Sequence, residues 1–349
     1  MTRQTWTALV SAVLFVALAA AVALTPIPFV TWNPGRTVNI LAGGQPPVLE
    51  VAGARTYPTS GELHLTTVST TRVDSMLGLP EGVIAHWLPH RDTMPREVIH
   101  RPGQTAEEVQ AEEKRMMDTS QQDAVVAALR EADMEVTERP AVGSVNVGGP
   151  ADGLLEPGDL ILAVDGQPVA TPNDVSAAVQ RTEVGATVEI TVLRAGTERT
   201  VRVTSTASNT DPKLPVIGIG VQVGYQHAAQ ISIVIDSRIG GPSAGMIFAL
   251  GIYDVLTPGE LLQGNTVAGT GTISPDGRVG GIGGVQEKIR AAEESGATLF
   301  LLPEANCVDL GEPPRNVRVA KVATLSEAVQ AISDYASDGP DAVLPTCER

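Results

Sequence analysis

Aromatic residues make up only 3% of this 349-residue chain, whereas glycine occurs 35 times and proline 25 times. A core short of rings must be built from valine, leucine, isoleucine and alanine, on strands joined by tight turns. Positive charge is short too: 24 Lys and Arg against 40 Asp and Glu leave a formal net charge of -16. That balance argues against nucleic acid, or an anionic membrane face, as the main partner, because both need a basic footprint. Two cysteines, Cys307 and Cys347, are too few for a disulfide framework or a zinc cage. They form one bridge or stay as two thiols; a bridge would close a loop of roughly 40 residues and contribute about 3 to 4 kcal/mol. The phosphate-cradling pattern GxxxxGK[ST] occurs nowhere, so no ATP site is expected, nor any other cofactor. Apolar residues are not scarce, at 43%, enough for two globular domains and a membrane segment.

No charge falls between Gln4 and Gly35, and Trp6 to Leu24 is an almost unbroken apolar run. As a helix that run reaches across roughly 28 Å, one membrane span. Pro26 and Pro28 stop the helix, and Trp6 and Trp32 stand where interfacial aromatics stand. The reading is a short cytoplasmic end (1–5), a single anchor (6–30), a Pro/Gly-rich connector (31–54) and a body outside the cytoplasm. Its rival is a signal peptide cleaved after Ala21-Val22-Ala23. Residues 61–71, GELHLTTVSTT, alternate as a strand does, and Thr105 to Ala132 reads as a helix with an acidic first turn. His86 and His90 have the four-residue spacing of zinc ligands on a helix. Pro89 lies between them and no glutamate follows His86, so no metal site is assigned.

Residues 142–204 read as a self-contained unit: the strand GSVNV, the turn GGPADG, LLEPGDLILAVDGQPV, a helix from Asn173 to Gln180, and the strands TVEITVLR and RTVRVT. With GDLILAVDG (158–166) as its most specific part, this unit resembles a PDZ domain of the bacterial protease type. The resemblance implies a groove that takes an extended peptide between a strand and a helix, here Val142, Val145 and Val147 against Val175 and Val179. The glycine-rich loop that cradles a terminal carboxylate in that family has no good match near Arg139 to Val142. The bland alternative is a folded spacer.

The remaining chemistry centres on Gly240-Gly241-Pro242-Ser243-Ala244-Gly245. A lone serine lies between glycines, just before an apolar helix (Met246 to Leu256) whose first free amides can face an oxyanion. A nucleophilic serine needs a base. All five histidines precede Ser243, whereas a G-x-S-x-G hydrolase needs its histidine afterwards, so a Ser-His esterase is disfavoured. A lysine serves if its pKa is depressed. Of the four lysines, Lys288 follows the run Gly280-Gly281-Ile282-Gly283-Gly284 and opens a helix (Glu287 to Glu294), where the dipole disfavours a cation.

GGPSAG, followed by TGTISPDGRVGGIGGVQEK, is similar to the proteolytic domain of the Lon protease family, with both motifs in order. The resemblance implies Ser243 as nucleophile, Lys288 as its base and Thr270 as the hydroxyl bonded to that lysine. Two departures stand out: Gly240 and Ile239 replace the acidic residue common before the serine, and Gln286 replaces a frequent lysine. The resemblance further implies an α+β proteolytic domain in two pieces (55–135 and 208–335), with the PDZ-like domain (136–207) inserted and an acidic tail (336–349). Hexameric rings are common in the family. The expected function is an anchored, ATP-independent endopeptidase acting on protein or peptide substrates. The alternative is a silent PDZ adaptor that binds peptide segments at the membrane.

Overall fold

A computed structural model describes residues 2–44, 46–88, 91–311 and 314–347, and it divides into two compact units. One is made of Met1–Asp133 with Ala229–Arg349, the other of Met134–Ala228. His90 lies outside the described residues.

The first unit begins with helix α1 (Arg3–Leu24), which buries none of its side chains and is the one described helix long and apolar enough to cross a membrane. Strand β1 (Pro26–Ile27) follows at once, then β2 (Phe29–Asn39) and β3 (Leu49–Ala52). The apolar segment read as an anchor through residue 30 is therefore helical only to Leu24. Val30, the last residue read as anchor, and Thr31, the first of the connector that contains Pro34 and Gly35, are both buried in β2. Pro34 and Gly35 sit at a register shift in β2, a bulge that interrupts the period a strand normally shows. Strand β4 (Glu62–Thr70) pairs with β2, and β5 (Leu77–Gly78) with β1. Helix α2 (Leu79–Trp87), strand β6 (Asp92–Pro95), the single-turn helix α3 (Arg96–Ile99) and helix α4 (Ala106–Glu131) complete this part. A capping box starts α4: Glu108 N–H donates to the Thr105 hydroxyl and Thr105 N–H to the Glu108 carboxylate.

The second unit is a six-stranded sheet, a two-stranded ribbon and one helix. Its elements in chain order are β7 (Thr137–Val145), β8 (Leu160–Val164), β9 (Gln167–Pro168), α5 (Pro172–Gln180), β10 (Thr187–Arg194) and β11 (Thr197–Thr204). After them come β12 (Thr206–Ala207), β13 (Pro215–Val216) and β14 (Ile219–Gln226). The main sheet runs β11-β10-β8-β7-β14. Its core is aliphatic throughout, with Val142, Ile161, Val188, Ile190, Val192 and Val203 fully buried.

The chain returns to the first unit with β15 (Gln230–Ile233), α6 (Gly245–Leu256) and β16 (Thr266–Gly269), then the hairpin β17 (Thr272–Ile273) and β18 (Val279–Gly280). Helix α7 (Val285–Glu294), β19 (Leu299–Pro303), a 3-10 turn (Glu304–Asp309), β20 (Arg318–Val322) and α8 (Leu325–Asp338) close it. The main sheet has the order β20-β19-β16-β4-β2-β6, parallel from β20 to β4 and antiparallel beyond. Leu299 to Leu302 are completely buried on both faces of β19, as a central parallel strand requires. Cys307 and Cys347 are bonded, which ties the C-terminal segment to the turn after β19. Strands from both pieces interleave in this sheet, so the unit is a single α+β fold with the other unit inserted in its sequence.

Candidate active site

Ser243 lies in the turn just ahead of α6, which starts at Gly245, one residue earlier than the sequence suggests. Three contacts fix that turn. The Ser120 hydroxyl on α4 donates to the Pro242 carbonyl at 2.9 Å, the Glu113 carbonyl accepts from Gly241 N–H at 3.1 Å, and Gly271 N–H donates to the Ser243 carbonyl at 2.8 Å. Gly245 packs so closely on α4 that an added Cβ would lie 2.7 Å from Ser120 Oγ. Met246 N–H, expected to be free, is bonded to the Gly271 carbonyl at 3.1 Å. Among the described residues the amides of Ser243 and Ala244 have no main-chain partner.

Lys288 comes from the first turn of α7 and is 2% exposed. Its Nζ donates to Thr270 Oγ1 at 3.0 Å, and Thr270 Oγ1 in turn donates to the Ser243 carbonyl at 3.0 Å. Thr270 is completely buried at the end of β16. The three residues thus meet through the threonine hydroxyl; among the described residues no hydrogen bond joins Ser243 Oγ to Lys288 Nζ directly. Burial pushes the Lys288 amine down to about 7, against a smaller opposing pull from Glu287. Glu287 is itself fully buried with both carboxylate oxygens unpaired, and burial pushes its carboxyl up. A carboxyl that stays protonated more readily places less negative charge beside the lysine.

The glycine run before Lys288 has a steric cause. Gly284 caps α7 in the left-handed region (φ 71°), and a Cβ there would lie 2.4 Å from Val68 Cγ1. A Cβ on Gly283 would lie 2.6 Å from the Trp32 ring. Trp32, read from the sequence as an interfacial aromatic, is instead packed on the loop that delivers the lysine. Asn306 holds the same loop from the other side: its Oδ1 accepts from Ile282 N–H and its Nδ2 donates to the Ile282 carbonyl, both at 2.8 Å. Neither Trp32, Asn306 nor Ser120 belongs to a motif, and no pattern in the chain marks them. Among the described residues no group of three His, Cys, Asp or Glu side chains is placed to hold a metal.

The residues proposed for a peptide groove are all in the second unit, but mostly inside it. Val142, Val175 and Val179 are core residues at 0, 1 and 6% exposure, Val145 packs against them, and Val147 stands in a turn, 96% exposed. The edge of β7 that would receive an added strand is already paired. β14 runs antiparallel to β7 from Ile219 opposite Val145 to Gln226 opposite Thr137, with Ile219 and Val221 packed on the core. A cavity of about 600 Å³ is lined by Asn146 to Pro150, Val175, Val179 and Pro215 to Ile219.

Comparison with known proteins follows the same division. Residues 236–337 match the C-terminal proteolytic domain of Lon protease (S16), and residues 115–204 match the PDZ domain. The second match starts inside α4, ahead of the compact unit itself, and stops short of β14. Lon protease 2 of Herpetosiphon aurantiacus is 38% identical over 121 residues, which is 30% of this chain and 15% of that protein. Lon protease of Clostridioides difficile is 40% identical over 96 residues (28% and 12%), and Lon protease 2 of Bacillus subtilis 38% over 94 (27% and 17%). The chain therefore spans well under a fifth of the length of these relatives. Solved PDZ domains of SdrC-like proteins from Listeria monocytogenes and Listeria innocua are 27% and 29% identical. They cover 24% and 26% of this chain and 86% and 98% of their own, with TM-scores of 0.22 and 0.23. The similarity to Lon protease thus falls on residues 236–337 of the first unit, and the similarity to the PDZ domain on a stretch that includes most of the second.

Proposed function

We propose that this protein is a membrane-anchored serine endopeptidase that cleaves protein substrates without ATP, using Ser243 as nucleophile and Lys288 as general base. The observation that carries the reading is the buried Lys288 amine, held by Thr270, whose hydroxyl also bonds the Ser243 main chain. An amine that titrates near 7 is neutral often enough to accept a proton at physiological pH. Ser243 Oγ attacks the scissile carbonyl as its proton passes to Lys288 Nζ. The tetrahedral intermediate collapses, the leaving amine takes that proton, and an ester to Ser243 remains. Water then attacks the ester, its proton moves to Lys288, and the acid is released with Ser243 restored. The amides of Ser243 and Ala244 are the donors best placed for the oxyanion.

The apolar, unburied α1 supports the anchor, and the Cys307–Cys347 bond supports a body outside the reducing cytoplasm. The second unit regulates rather than captures: β14 fills the strand position a peptide ligand would take, so a ligand must displace it. The same pairing counts against a silent adaptor. The test is cleavage of an unfolded protein by the full chain in detergent, with no nucleotide. Wild type should cleave and Ser243→Ala should not; equal rates would remove the serine from the mechanism.

A further inference from the structure

We infer that helix α2 lies on the membrane surface, with its apolar face in the headgroup layer, and seats the body against the lipid beside α1. This rests on the anchor reading of α1. The argument starts where α1 ends. Leu79 N–H, the first of α2, donates at 3.1 Å to the carbonyl of Thr25, the residue that caps α1, and Pro26 pairs with Gly78. A span that leaves the hydrocarbon at Leu24 therefore fixes the start of α2 at headgroup depth, whatever the tilt of α1.

One face of α2 is used against the body. Gly82 and Ala85 are buried, and a Cβ on Gly82 would lie 2.4 Å from Ile27 Cδ1. At 100° per residue the opposite face carries Val83, Ile84 and Trp87, with Leu88 just beyond, and these are 50, 57, 82 and 41% exposed. Glu81 and His86 fall on the flanks of that arc, not within it. Met76, ahead of α2, and Val98, on α3, extend the patch at 72% and 69% exposure. α3 is tied to the same exit segment, since Arg96 N–H donates to the Pro28 carbonyl at 2.9 Å. Six large apolar side chains thus surround the point where the chain leaves α1. Exposed apolar side chains gathered on the elements tied to one exit segment mark an interface, and a tryptophan with an apolar body and a polar edge suits the headgroup boundary. Lipid is favoured over a second copy of the chain because the tether to α1 already places the patch at the bilayer.

The experiment uses the full chain in lipid nanodiscs. Trp6→Phe leaves Trp87 and the packed Trp32 as emitters, and lipids brominated near the glycerol end of the acyl chain act as quenchers. Brominated lipid should remove most of the Trp87 emission while aqueous iodide should not; the loss should vanish in Trp6→Phe/Trp87→Phe. Ile84→Glu, at an exposed position the fold does not need, should weaken the quenching. If α1 is protected from protease by the disc, yet Trp87 is quenched by iodide and not by brominated lipid, the inference is overturned. It is equally overturned if Trp87→Cys cross-links two chains in place of lipid contact. If α1 is not protected at all, the anchor reading itself fails, a result the same protease assay separates from the others.

Discussion

In the first unit the fully or nearly fully buried side chains include Lys288, Thr270, Glu287 and Asp254, four groups that pay a desolvation cost if charged or unpaired. In the PDZ unit the interior is mostly valine and isoleucine, and its one buried charge, Asp159, accepts from two of the three guanidinium nitrogens of Arg194 at 2.6 and 2.7 Å. The first interior keeps polar groups whose titration is shifted; the second neutralises the one it has. Groups left poised inside a fold point to chemistry, while a satisfied ion pair in an aliphatic core points to shape.

The comparison breaks most sharply at Lys288. Lys288→Met should lower kcat/KM by about a thousandfold or more, while the wild-type rate should climb with pH to a plateau above about 7. The stability effect has a definite sign. The folded value near 7 lies below the ordinary 10.5, so between those limits the unfolded chain binds the extra proton and stability rises with pH. Lys288→Met should therefore stabilise the fold most at or below pH 7, by about 2 to 4 kcal/mol, with the gain fading toward pH 10 in urea titrations. A stabilised but inactive variant is the signature of a poised group.

Arg194→Met tests the other side. It leaves Asp159 buried without its partner and should cost about 3 to 5 kcal/mol, unfolding the PDZ unit first. An effect under a tenth of that in thermal melts would mean that the pair is not structural. Thr270→Val keeps the shape but removes the hydroxyl between Lys288 and Ser243. The loss of one buried hydrogen bond to the amine corresponds to about a tenfold to hundredfold drop in kcat, with a smaller change in KM. Smallest is Val221→Asp, which should loosen β14 from the core for about 1 to 2 kcal/mol. An added peptide with the sequence of residues 219–226 should then bind the variant in anisotropy measurements and not the wild type. Equal binding to both would show that the β7 edge is open after all.

How much could be read in advance divides along the same line. Ser243 and Lys288 stood out in the sequence because a nucleophilic serine needs a base and no other lysine met that demand, whereas Thr270 came only with the resemblance; the structure places Lys288 Nζ on the Thr270 hydroxyl and that hydroxyl on the Ser243 carbonyl. The α+β class and the insertion came with the resemblance to the Lon proteolytic domain, while the period of residues 61–71 gave only a strand. The strand β2 was hidden, because Pro34 and Gly35 erase the alternation just where the bulge sits. Trp32 was misplaced for the same reason: an aromatic near an apolar run looks interfacial until its strand is known. The closed groove could not be read at all. Residues 216–223 show the alternation of any half-buried strand, and nothing local says which edge such a strand joins; pairing with β7 is a long-range choice.

The bond between Cys307 and Cys347 has a reach beyond tying down a tail. Cys307 directly follows Asn306, whose carboxamide grips Ile282 in the loop that presents Lys288. The last stretch of the chain and the approach to the amine therefore share one fastening, more than 50 residues of sequence from one end to the other. Trimming the protein ahead of Cys347 removes both that fastening and the packing of Cys347 on the cluster that holds Val285 and Ile289, whereas strong reductant cuts the fastening alone. Purification handles and buffer redox are thus variables of the activity assay itself.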